Sequence, residues 1–368
     1  EDAPPWLSTG FASDGNERNL AAGTGNANYS AGIALRQRGD GKTVKGDTKF
    51  DRFDQLSAYY QRQFNVGAYS VDWQLIGSKA ADIGKDNSQF PLERIVLYPE
   101  ENHLLSQVKL SGTGDWAARL SLHYQDLLTR ETRETRSAIQ GLESRVSEVA
   151  NRSMDIGFTL EDRWQAGQLS GQYGYDYFGR RGVNARQDDF ILSRLLGSTQ
   201  SLDDGEENES ALFATANRDI NFASVHLGGR WTYFTQSDSK SEKISQSRGS
   251  YFLTVRKPLG DWNLSLSYGT SSRFASLTER LFIGTTGRGQ VVGNQNLLPE
   301  DSSELVIGID YQSERLAIEL HRFAMDIDDF IERITLDENT LSYRNLLSGD
   351  LRGWQYRVAL FPSNARQL

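Results

Sequence analysis

Residues 284–310 read GTTGRGQVVGNQNLLPEDSSELVIGID, and the glycines make phosphate binding the first chemistry to test. A phosphate-cradling loop needs a strand, then G-x-G-x-x-G, then a helix N-terminus. Gly287, Gly289 and Gly293 give G-x-G-x-x-x-G, one residue too long, and Pro299 leads into alternating apolar residues that announce a strand. The nucleotide reading fails. His103, His123, His226 and His321 are scattered, with no H-E-x-x-H and no zinc-like spacing. No metal centre and no cofactor is expected from them, and His123 and His226 read as polar wall residues. Asp326, Asp328 and Asp329 lack the glycine and closing glutamate of a calcium loop. The acidic run 203–209 (DDGEENE) and the pair Glu100 and Glu101 read as solvated loop tips. No acid–base or nucleophile constellation emerges, so the chain is not expected to be an enzyme.

Composition narrows the class further. A net charge of −9 gives no basic face for nucleic acid. Cysteine is absent, which removes disulfides and thiolate metal sites and suits export to an oxidising compartment. No run of about 18 apolar residues occurs, so a membrane-spanning helix is excluded; barrel strands remain open, since only alternate residues need be apolar.

Alternation is what the chain shows. In residues 116–124 (WAARLSLHY), Trp116, Ala118, Leu120, Leu122 and Tyr124 oppose Arg119, Ser121 and His123. Residues 223–233 set Val225, Leu227, Trp231 and Tyr233 against Ser224, His226, Arg230 and Thr232. Residues 262–268 set Trp262, Leu264, Leu266 and Tyr268 against Asn263, Ser265 and Ser267. Segments 69–75, 154–160, 305–311 and 354–360 behave alike. A period of two predicts strands with one apolar face. Short turns at 112–115, 166–168, 258–261 and 312–314 alternate with long polar stretches at 81–102, 129–148, 181–208, 236–246 and 274–299. That rhythm predicts an up-and-down meander of about 16 strands, most reaching the 9–11 residues that a tilted strand needs to cross a bilayer. Hydrocarbon cannot solvate Arg or Asp, so the apolar face points to lipid and the polar face lines the interior. Trp73, Trp116, Trp164, Trp231, Trp262 and Trp354, with Tyr175 and Tyr177, sit where interfacial girdles would. In residues 316–327 the apolar phase slips by one at His321 and Arg322, which predicts either a bulge or a strand leaving the bilayer.

Residues 272–300 resemble the barrel signature of TonB-dependent outer-membrane receptors. That signature runs from an aromatic segment to Glu-Arg, a glycine-rich loop and Gly-Asn-Pro-x-Leu-x-Pro-Glu, and then a strand. The matching positions are Phe274, Glu279, Arg280, Gly284, Gly289, Gly293, Asn294, Asn296, Leu297, Pro299 and Glu300. Gln295 replaces the usual proline, and Ala275 and Ser276 depart from the commoner Arg-x-Pro form. Residues 323–332 and 343–353 also resemble the family's next strands. The physical reading of the loop is a rigid excursion at the barrel mouth. Its glycines would supply backbone angles closed to other residues, its asparagines left-handed turns, and Pro299 a fixed start to the next strand.

The resemblance implies an all-β fold, a transmembrane antiparallel up-and-down β-barrel. About 16 strands of the family's 22 would be present. Residues 1–368 would then be part of a barrel domain whose N-terminal plug and last strands are missing. It also implies the outer membrane of a Gram-negative bacterium, with lipid and lipopolysaccharide around the wall. Uptake of a scarce nutrient would be coupled to the TonB complex through the missing plug. Haem receptors of the family carry a histidine within the signature, and none lies between Phe274 and Leu297; a ferric siderophore is the expected ligand. Cobalamin, a metal chelate or an oligosaccharide, and a passive porin-like channel, stay open. Arginine and aromatic side chains suit an anionic, partly aromatic chelate. The expected contacts are Arg273, Arg280, Phe282, Arg288 and Tyr343.

Overall fold

The structure, a computed structural model, describes residues 3–46, 48–85, 94–112, 114–137, 141–286, 289–337 and 340–361. Sixteen strands make one sheet, each paired with its neighbours in chain order, from Ala3–Ala12 at one edge to Ser348–Leu360 at the other. The pairing is antiparallel throughout, as a meander requires. At one end the strands turn within two residues, at 67–68, 167–168, 221–222 and 260–261. Gly67, Gly167 and Gly260 take φ of 61°, 63° and 60° in these turns, angles that match the twist of a tight hairpin and exclude most side chains.

The two faces separate as the alternation predicts. Trp262, Leu264, Leu266 and Tyr268 are exposed, as are Leu227, Trp231 and Tyr233 on a nearby strand. The opposite face of that strand carries Phe234 and Gln236, buried beneath residues 274 and 275. The apolar rows therefore point away from the loop that fills the interior. Tyr69 with Trp116 and Trp262 with Tyr311 form ring pairs at centroid separations of 5.9 and 4.8 Å beside the tight turns. They mark the lower interface, where amphipathic rings are favoured.

The polar stretches at the other end differ from their sequence reading. Strands Leu169–Ile191 and Arg194–Ile220 keep pairing almost to the tip, where Leu192 and Ser193 turn with positive φ. Strand Ala223–Asp238 likewise meets Ser241–Leu259 across residues 239–240. These segments are hairpins rising past the apolar band. Backbone donors and acceptors remain satisfied by continuing the ladder, and with water on both faces the side chains no longer need to alternate. Of the other long stretches, 86–93 and 138–140 lie outside the described residues.

The phase slip at His321 and Arg322 also resolves differently from a bulge. Strand Leu316–Asp328 pairs on both sides without a register shift. Its residues beyond His321 change character, not geometry. Arg322 takes the outward position and lies over the exposed Trp354 ring, 5.4 Å from its centroid, while Phe323 faces the same side as His321.

Two connections at the rising end fold together. Residues 283–286 and 289–292 pair, and Gly289–Val292 runs parallel to Thr340–Asn345, which pairs with Ile331–Asp337. The segments 323–332 and 343–353, expected as the next wall strands, are thus divided between wall and inner sheet. Counted along the wall, residues 274–299 form the seventh connection on this end.

Candidate functional site

The signature connection begins where strand Trp262–Arg273 ends, five residues past Tyr268 and so above the aromatic band. Ser276 caps the one-turn helix Leu277–Arg280 and Glu279 returns the bond, a reciprocal capping box. Glu279 also accepts from Arg273 at 2.9 Å, while Arg273 Nε and Nη2 reach the Glu300 carboxylate at 2.7 and 2.8 Å. Arg273 and Glu300 are register partners at the two mouths of the connection, so this clamp closes the loop at its base. The hydrogen bond from Arg273 to Glu300, followed by that to Glu279, raises the Arg273 pKa above its ordinary value. Burial alone would push the Glu300 carboxyl up, but donors from Arg273 and the Ile331 N–H hold it below the usual range.

Arg280 turns the other way and is 1% exposed. Its Nη2 donates to Gln246 Oε1 at 2.5 Å and to the Leu297 carbonyl at 2.7 Å. Among the described residues no acceptor meets its Nε or Nη1. Burial pushes the guanidinium down from its ordinary range, against the charges of Glu207 and Glu279. Leu277, Leu281, Phe282 and Val291 form a core with Ala185 and Leu202 from the wall, and Leu297, Ala275 and Ile331 form a second. Tyr343 packs against both.

Glycine serves space here, not backbone angle. Gly284 and Gly293 are absent from the positive-φ positions. A Cβ on Gly293 would lie 2.5 Å from the Arg280 carbonyl, and one on Gly284 would collide with the Ser201 hydroxyl. At these two positions the expectation of left-handed glycines is corrected to close approach, of loop to wall at Gly284 and of loop to its own helix at Gly293; Gly287 lies outside the described residues. Asn294 and Asn296 are not left-handed either; the Asn294 side chain instead shapes the turn by accepting from the Asn296 N–H at 3.0 Å and donating to the Tyr343 carbonyl at 2.9 Å.

Of the five expected ligand contacts, the structure separates one from the rest. Arg273 lines an open cavity of about 450 Å³ between the loop base and the inner wall. Arg280 and Phe282 are buried in the loop's own packing and Tyr343 is partly buried in it. Arg288 lies outside the described residues. The cavity adds residues outside the expected contacts: Arg230, read from sequence only as inward-facing, Glu207 and Glu209, read as a solvated loop tip but set in strand Arg194–Ile220, Arg248 and several serines. Phe234 and Phe274 stack at 4.5 Å on its wall. Arg230 bridges Asp176 and Glu209, and Arg248 pairs with Asp301, so both arginines are held in place by acids. Alternation alone places Arg230 inward; the signal that it and Arg248 share a cavity with Arg273 lies in cross-strand register, which sequence does not print.

Comparison with solved structures places this architecture. The copper transporter OprC superposes with a TM-score of 0.75 at 14% identity, covering 99% of this chain and 59% of that one. The FrpB iron transporter of Neisseria meningitidis gives 0.65 at 14%, covering 99% and 59%. The ferric-catecholate import receptor Fiu of E. coli gives 0.64 at 10%, covering 98% and 63%. The chain thus spans about three fifths of their length. No curated protein matches it in sequence. The profile of the family described as TonB dependent receptor-like, beta-barrel, matches residues 5–356. With its lipid-facing rows, its inward signature loop and this match, the chain belongs to the TonB-dependent receptor-like β-barrel family of the Gram-negative outer membrane.

Proposed function

We propose that this chain is the larger part of the barrel of a receptor that takes up a ferric siderophore. The Arg273 cavity carries the reading. Three arginines, a stacked phenylalanine pair and several hydroxyls face the interior at the mouth. An anionic chelate with aromatic arms suits charge-assisted hydrogen bonds and ring contacts of this kind. Among the described residues, Arg273 is the one expected contact that lines it. The edge strands Ala3–Ala12 and Ser348–Leu360 each have one partner among the described residues, and lipid cannot satisfy an open edge. Further strands of the same receptor would close the wall, and a plug inside it would engage the TonB complex. Lipopolysaccharide would contact the rising hairpins.

The test uses the intact receptor in a strain lacking it, starved of iron and supplied with single ferric siderophores. Growth and radioactive iron uptake are expected with at least one of them, only while TonB is present. Arg248→Ala with Arg273→Ala should weaken binding of that siderophore by tenfold or more at unchanged receptor abundance. Uptake that persists without TonB would favour a passive channel, and binding indifferent to both arginines would remove the cavity from the path.

A further inference from the structure

The structure assigns a divalent-metal site to the inner wall, built by His103 and His123. These residues are 20 apart in sequence and sit on adjacent strands, Arg94–Ser111 and Ala117–Ser137. His123 pairs with Leu105, which makes the two histidines diagonal neighbours on one face, within reach of each other. His103 Nδ1 and His123 Nε2 lie 3.3 Å apart, with rings parallel to within 3°.

The outer nitrogens explain why the inner ones matter. His103 Nε2 stands 2.9 Å from Glu101 Oε1, and His123 Nδ1 stands 3.6 Å from Asp155 Oδ2. A carboxylate only accepts, so the Glu101 hydrogen bond selects the His103 tautomer with its hydrogen on Nε2, while Asp155, at 3.6 Å beyond hydrogen-bond length, biases His123 the same way by its charge. In neutral rings that choice leaves two lone pairs facing each other. Asp155 is itself held by Arg180, whose Nε and Nη2 donate at 2.8 and 3.0 Å, so it acts as a fixed acceptor. Carboxylates orienting imidazoles in this way are the usual outer support of metal-binding histidines. Two bonds of about 2.0–2.1 Å at a tetrahedral angle require nitrogens about 3.3 Å apart, the observed separation. A tilt of the rings aims both lone pairs at one ion.

Imidazole donors select Cu²⁺, Ni²⁺ or Zn²⁺ over hard ions. No group of three or more ligating side chains gathers among the described residues, so the protein supplies two bonds and the wet interior the others. Water, or donor atoms of an incoming chelate, would complete the shell. The separation of residues 103 and 123 hides this pair from any spacing motif.

The purified intact receptor in detergent is titrated with copper(II) sulfate and zinc chloride at neutral pH, with paramagnetic resonance of the copper form. We expect one ion per chain and hyperfine splitting from two imidazole nitrogens. His103→Ala and His123→Ala should each weaken binding at least tenfold. Glu101→Gln, which keeps both ligands, should weaken it about ten- to a hundredfold, and His226→Ala with His321→Ala should leave it unchanged. A copper spectrum without two-nitrogen coupling, or binding that survives the double His103→Ala and His123→Ala change, overturns the assignment.

Discussion

Leu266→Arg is expected to destabilise the barrel by about 2–4 kcal/mol, the cost of a charge near the bilayer midplane, or roughly 30- to 1,000-fold in the folded population. Leu266 is 48% exposed on the outer face, midway along the row from Trp262 to Tyr268. Its neighbour Ser267 faces inward and exchanges a hydroxyl hydrogen bond with Thr254 at 2.8 Å. Ser267→Arg should therefore lose that one bond, about 1 kcal/mol, and send its guanidinium into water. Unfolding in lipid bilayers, followed by heat-modifiable gel mobility, compares the two. Equal costs for the adjacent substitutions would mean that both faces meet the same medium.

Arg280→Ala is the second large effect, and it acts on the signature loop instead of the wall. The substitution removes the donor to the Leu297 carbonyl and to Gln246, and it leaves a cavity under the loop. A hydrogen bond from a charged group contributes about 1.5–3 kcal/mol, and the void adds to it. Amide exchange at Gly293 and Asn294, whose N–H groups donate to Phe282 and Glu279 carbonyls at 2.8 Å, should accelerate about a hundredfold. Wall amides such as Leu253 should be unaffected. Arg280→Lys should recover part of the protection, since an ammonium can still reach one acceptor. Unchanged exchange in Arg280→Ala would show that the two hydrophobic clusters hold the loop without it.

The wall was legible from sequence because lipid enforces a rule on every second residue. Trp262, Leu264, Leu266 and Tyr268 obey it, and so do Leu227 and Trp231. The rule lapses above the band, which is why residues 181–208 read as a loop yet form a hairpin. It lapses again at Arg322, where a charged residue takes the outward position and covers Trp354. The signature loop was legible as a shape through its resemblance, but not its contacts. Arg280 and Phe282, expected at a ligand, are buried in the packing of the loop, because burial depends on what lies beneath: Gln246 under Arg280, and Ala185 and Leu202, 97 and 80 residues earlier in the chain, under Phe282. The gathering of Arg230, Arg248 and Arg273, and of His103 with His123, depends on register in the same way.

The account turns on alternate side chains meeting lipid and a wet interior. The chain contains no cysteine, so a single introduced cysteine carries a spin label without background. Labels at positions 262 to 268 in lipid bilayers are then probed with oxygen, which concentrates in hydrocarbon, and with a water-soluble nickel complex. Labels replacing Leu264 and Leu266 should relax with oxygen, and those replacing Asn263, Ser265 and Ser267 with nickel, in strict alternation. Uniform accessibility along the strand, or the opposite phase, would contradict the barrel assignment and the receptor reading built on it.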